Sequence, residues 1–131
     1  MLSKNTVKFI KSLHQKKYRT EEGLFFVEGE KSVIEVLKSD FLVDMLLITE
    51  SFEERNLSLI KVFKGELIRV TQGQLEQLGQ YQSNDSALAI VRMKPNTPFS
   101  PSNNELIIAL DDVRDPGNLG TIIRVADWYG I

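Results

Sequence analysis

The 131-residue sequence has no cysteine, one histidine, one tryptophan and four prolines. Without cysteine there is neither a disulfide nor a thiolate metal site. A single imidazole, His14, leaves a histidine-based metal centre short of ligands, and His14 reads as a surface or helix-end residue rather than a catalytic base. No apolar run approaches the roughly 18 residues that a membrane-spanning helix requires, and no apolar stretch of signal length follows Met1. The expected location is the cytoplasm, with no membrane partner. Internal repeats and low-complexity tracts are also missing. What is present, 42% hydrophobic and 26% charged residues, suffices for a core of ordinary size.

The net charge of −2 argues against a nucleic-acid binder only until it is mapped. Residues 1–20 hold Lys4, Lys8, Lys11, Lys16, Lys17 and Arg19 and no acid, a charge of +6; from 16 bases and 18 acids in all, the remainder carries −8. Such asymmetry is expected of a local phosphate-binding surface. Read as a helix, the arm gathers Lys4, Lys8 and Lys11 within about 60° of one another, opposite Leu2, Phe9, Ile10 and Leu13. By periodicity alone this is equally an ordinary solvated face. The continuation Lys16, Lys17, Tyr18, Arg19, read as a loop, adds a guanidinium and a ring able to stack on unpaired bases.

A regular alternation follows. Strands are expected over Leu24–Val27, Val43–Thr49, Glu66–Val70 and Ala87–Met93, and helices over about Glu30–Ser39 and Phe52–Phe63. Thr71, with Gln74 three residues on, forms a capping-box pattern for a short helix to about Leu78. A polar loop runs from Gln82 to Ser86. Strands alternating with helices imply a three-layer α/β domain. The segment KPNTPFSPSNN, with three of the four prolines, reads as a stiffened linker. Beyond it, Ile107–Leu110 is an apolar run fit for a buried strand, and TIIRVADWYG has helical spacing. Between them lie Asp111, Asp112, Arg114, Asp115, Pro116, Gly117, Asn118 and Gly120, with glycines suited to close ligand approach at a helix start.

The pattern Pro116, Asn118, Gly120, Arg124, Ala126 and Gly130 resembles motif 1 of the SpoU-type (TrmH family) RNA 2′-O-ribose methyltransferases of the SPOUT superfamily. The front of the chain, KKYRTEEGLFFVEGEKSVIE, resembles the start of that family's substrate-binding domain. One departure is visible: a His-Gln-Gly run common before that domain's last strand is replaced by QYQSNDSALAIV.

The resemblance implies an L30e-like three-layer α/β substrate-binding domain over residues 1–94, a Pro-rich linker over 95–104, and the first strand-loop-helix of a SPOUT domain over 105–131. It implies an enzyme that methylates ribosomal or transfer RNA and is a homodimer when complete. S-adenosylmethionine would be held by later motifs outside this chain, no metal is needed, and these 131 residues are expected to be inactive alone. Arg124 would hold phosphate and help activate the 2′-OH, while Asn118 would orient the ribose or fix the arginine. Pro116 and Gly120 would shape the loop, and Lys4, Lys8, Lys11, Lys16, Lys17, Tyr18 and Arg19 would bind substrate RNA.

Asp111, Asp112 and Asp115 read as turn-capping groups or partners of Arg114. Glu28 and Gly29 read as structural, the acid near a helix N-terminus. Trp128 and Tyr129 read as packing against catalytic parts outside this chain. The alternative from another class is a non-enzymatic L30e-like RNA-binding module, which has no use for Asn118, Gly120 and Arg124 in register. A nucleotide-phosphate loop at GNLG would need a lysine and Ser/Thr that are missing.

Overall fold

A computed structural model describes residues 2–81 and 83–131. They fall into two units, Met1–Pro95 and Asn96–Ile131.

The first unit is built on a four-stranded mixed sheet of order β1-β4-β2-β3, from β1 (Leu24–Glu28), β2 (Val43–Ile48), β3 (Glu66–Arg69) and β4 (Ala87–Arg92). β4 lies antiparallel to both neighbours, while β2 and β3 run parallel. β4 is central and covered on both sides, which is why ALAIV is a continuous apolar run rather than an alternating one. Period-2 geometry sends Phe26, Met45, Leu47, Ile68, Leu88 and Ile90 to one face. There they meet α1 (Lys4–Ser12) through Ile10, and α6 (Gln72–Leu78) through Leu75 and Leu78. Phe25, Val27, Leu46, Ile48, Ala89 and Val91 point the other way, onto α3 (Glu30–Lys38) through Val33 and Val36 and α4 (Glu50–Arg55) through Phe52. The unit is therefore an α/β sandwich with helices on both faces.

The capping box at Thr71 forms as its sequence dictates: Gln74 N–H donates to Thr71 Oγ1, and Thr71 N–H to Gln74 Oε1 at 2.9 Å. Two other expectations are corrected. The helix expected over Phe52–Phe63 is split at Asn56 into α4 and α5 (Leu57–Val62). Asn56 leaves helical geometry with φ −127°, and its side-chain amide donates to Phe52 O, a local bond that competes with the helix ladder. Lys16 to Arg19, read as a loop, belong to α2 (Lys16–Glu22), which ends at Gly23 with φ +65°. Glycine takes that left-handed turn without a Cβ penalty, and the chain passes directly into β1. The polar loop before β4 is described from residue 83 onward; Gln82 lies outside the described residues.

The second unit holds α7 (Pro116–Trp128). The run Ile107–Leu110, expected as a buried strand, is neither: its residues form no strand, with Ile107 45% and Ile108 43% exposed. A strand exists through a hydrogen-bonding neighbour, and among the described residues of this unit no other strand lies beside it.

Candidate functional site

The basic arm is assembled by α1 and α2. Ser3 caps α1 by accepting from Thr6 N–H at 3.0 Å, and Ile10 and Leu13 are fully buried. With the apolar side fixed, Lys4, Lys8 and Lys11 stand exposed on the other. Lys8, Lys11, Gln15 and Tyr18 then line one open groove between the two helices. Lys17 lies 5.7 Å from the Tyr18 ring centroid and 3.9 Å from Glu21, an exposed contact of small energetic weight.

Arg19 is occupied differently from its neighbours. Its Nη1 donates to Leu13 O at 3.0 Å and to His14 O at 2.8 Å, satisfying carbonyls left open where α1 ends. His14 is a joint of the fold. Its Nε2–H donates to Leu78 O at 2.7 Å, and its ring lies 4.8 Å from that of Phe26. Glu28 is another joint, 8% exposed. Its carboxylate accepts from Gln80 N–H at 2.8 and 3.1 Å and from Tyr81 N–H at 3.2 Å, so it ties the end of β1 to the chain leaving α6 rather than merely facing the start of α3. Gly79 makes room, since a methyl there would overlap Glu28 Oε2.

In the second unit, Asp115 caps α7 by accepting from Asn118 N–H at 2.7 Å, with Pro116 in the first turn. Gly117 keeps this cap open, because a Cβ would stand 3.0 Å from Asp115 Oδ2. At Gly120 a Cβ would meet nothing within 4 Å, so this unit alone gives that glycine no steric task. Asp112 has φ +53°, a left-handed conformation tolerated best by Asn and Asp. Its carboxylate receives the Arg114 fork, Nε at 2.8 Å and Nη2 at 2.7 Å, and this hydrogen bonding raises the Arg114 pKa above its usual value. Asp115 and Asp112 thus act as cap and partner, and among the described residues no group of three acids or histidines is gathered for a metal. A carboxylate already seated on the helix N-terminus also argues against a phosphate there.

The six arginines divide instructively. Arg55, Arg69, Arg92 and Arg114 are bound to Glu30, Glu53, Asp44 and Asp112, and Arg19 to backbone carbonyls. Only Arg124, exposed on α7, has no partner among the described residues. Asn118 and Arg124 are six positions apart, hence about 9 Å along the axis and about 120° around it. No hydrogen bond joins them, so Asn118 does not fix the arginine within this unit. Trp128 and Tyr129 are 84% and 75% exposed. A groove beside α7 is walled by Leu106, Ile107, Ile108, Ile122 and Ile123, with Asp127 its one charged group. Nucleoside hydroxyls and an amino-acid end require several polar partners, so these residues do not form a site for S-adenosylmethionine. Among the described residues, no helix is long and apolar enough to cross a membrane.

Residues 4–89 match the family model of the MRM3-like substrate binding domain. Over 130 residues the chain is 33% identical to the 23S rRNA (guanosine(2553)-2′-O)-methyltransferase RlmP of Bacillus subtilis, covering 95% of this chain and 48% of that protein. Among solved structures, a putative RNA methyltransferase of the TrmH family from Porphyromonas gingivalis superposes with TM-score 0.71 at 30% identity, covering all of this chain and 50% of the other. The AdoMet-bound rRNA methyltransferase of Sinorhizobium meliloti gives TM-score 0.76 at 32% identity, with 97% and 49% covered. The chain spans about half the length of these relatives.

Proposed function

Because the chain belongs to the family of the MRM3-like substrate binding domain, we propose that it carries the substrate-gripping part and the first catalytic motif of an RNA 2′-O-ribose methyltransferase. In this reading the first unit is L30e-like, residues 105–131 open a SPOUT domain, and the complete enzyme is a cytoplasmic homodimer using S-adenosylmethionine. The relatives named above carry the reaction class, and the observation in the chain itself that carries the reading is Arg124, the one arginine without a partner among the described residues, in register with Pro116, Asn118 and Gly120.

Each residue then has a distinct task. Lys4, Lys8, Lys11, Lys16 and Lys17 attract the RNA backbone, and Tyr18 offers a ring beside them. Arg19 supports this surface by holding the end of α1, rather than by contacting RNA with the Nη1 that is already engaged. Arg124 brings a planar fork of donors to the phosphate next to the target ribose and polarises its 2′-OH. It does not act as a free base, because a guanidinium offers five N–H donors and no acceptor. Asn118, set apart from Arg124 on the helix, orients the ribose.

The test is single-turnover methyl incorporation into substrate RNA by the full-length protein containing this chain, with circular dichroism as folding control. Arg124→Ala abolishes turnover, and Arg124→Lys restores little, because an ammonium keeps the charge and loses the fork. Asn118→Ala slows the step about ten- to a thousandfold, the loss of one or two oriented hydrogen bonds at roughly 1.4 kcal/mol per tenfold. Near-parent rates in folded Arg124→Ala refute the assignment.

A further inference from the structure

β1 stands at the edge of the sheet. Gly29 N–H donates to Ala87 O at 3.1 Å and Met93 N–H to Gly23 O at 2.7 Å. With the register running from Leu24↔Arg92 to Glu28↔Leu88, antiparallel alternation turns the N–H and C=O groups of Leu24, Phe26 and Glu28 away from β4. On that open side Phe26 and Glu28 floor a groove walled by Arg19, Ser32, Gln80 and Tyr81. Tyr81 is 59% exposed. Ser32 and Gln80 are exposed as well, and Gln80 spends its backbone amide on Glu28, leaving its side-chain amide without a partner among the described residues.

The wall is not a loose loop, because the buried Glu28 carboxylate anchors the backbone of both Gln80 and Tyr81. Arg19, one wall of this groove, belongs to α2, the helix that also carries Lys16 and Lys17. An aromatic ring beside neutral donors and acceptors, with cations at one end, matches a nucleobase whose flanking phosphates lie toward the cations. A base inside a duplex hides its stacking face and its pairing edge and does not fit. A peptide added to β1 would gain a ladder of only three open residues and leave Tyr81, Gln80 and Ser32 unused.

We infer that this groove receives one unpaired nucleobase of the RNA, stacked on Tyr81, with its hydrogen-bonding edge toward Ser32, the Gln80 amide and the open edge of β1. The inference rests on the RNA-binding reading above and adds to it which feature of the RNA is chosen.

The test measures binding of the full chain to a hairpin RNA carrying a single-nucleotide bulge and to the same hairpin without it. The expected result is tighter binding of the bulged RNA, a preference lost in Tyr81→Ala with about a tenfold or greater weakening and kept in Tyr81→Phe, while affinity for the unbulged hairpin is unchanged. Lys8→Ala/Lys11→Ala/Lys16→Ala should weaken both RNAs alike and flatten their salt dependence. If the lysine triple variant loses affinity and Tyr81→Ala binds bulged RNA as the parent does, the base pocket is refuted and the RNA reading stands. If the parent binds neither RNA, the RNA reading itself fails and the pocket with it.

Discussion

Replacing Glu28 with alanine separates a structural acid from a catalytic one. The carboxylate serves two backbone donors, Gln80 N–H at 2.8 Å and Tyr81 N–H at 3.2 Å, and is itself 8% exposed. A hydrogen bond to a charged group is worth about 1.5–3 kcal/mol. Since Gln80 and Tyr81 lie near solvent and water replaces part of what is lost, the low end applies, giving about 2–4 kcal/mol for the pair. For a unit of Met1–Pro95 each kcal/mol moves the midpoint by about 4–8 °C, so Glu28→Ala melts at least about 8 °C early. Glu28→Gln keeps one acceptor oxygen and costs about 1 kcal/mol. Gly79→Ala is destabilising for the same reason, its methyl meeting Glu28 Oε2. In a Glu28→Ala background that clash is gone, so the two substitutions couple by about 1 kcal/mol or more. Urea titration followed by circular dichroism reads the four variants against the parent, with the midpoint shifting at constant slope. A Glu28→Ala midpoint within about 0.5 kcal/mol of the parent refutes the account.

Two other predictions concern stability. Arg19→Ala, which uncovers Leu13 O and His14 O, should cost about 1–2 kcal/mol in a urea midpoint, and Arg19→Lys should recover part of it, since both carbonyls accept from the single Nη1 and an ammonium can supply a donor to each. Glu53 is held below its usual value of 4.5 by hydrogen bonds from Arg69, so its contribution is complete above that pH and is lost as pH falls below it toward the folded value; urea midpoints in that acid window should fall less steeply in Arg69→Ala than in the parent.

Several features of this protein were decided locally and could be read residue by residue. The apolar run ALAIV, the short apolar runs of the other strands and the Thr71–Gln74 capping box each depend on neighbours within a few positions. The amphipathic arm, with Ile10 and Leu13 inward and its lysines outward, is local in the same way. The motif loop was legible in kind, its acids reading together as turn caps or partners of Arg114, while the structure gives the cap to Asp115 and the pairing to Asp112.

Tertiary structure decided what depends on a distant partner. Glu28 meets residues more than fifty positions away, and His14 reaches Leu78 across 64. No spacing rule carries a signal for either contact. Lys16 to Arg19 are helical rather than a loop, and their contact is local, Arg19 bonding Leu13 O and His14 O six and five positions back. Conversely, Ile107–Leu110 has the composition of a buried strand and forms none, because an apolar run specifies only what it would bury, while a strand also requires a neighbouring backbone to complete its hydrogen bonds.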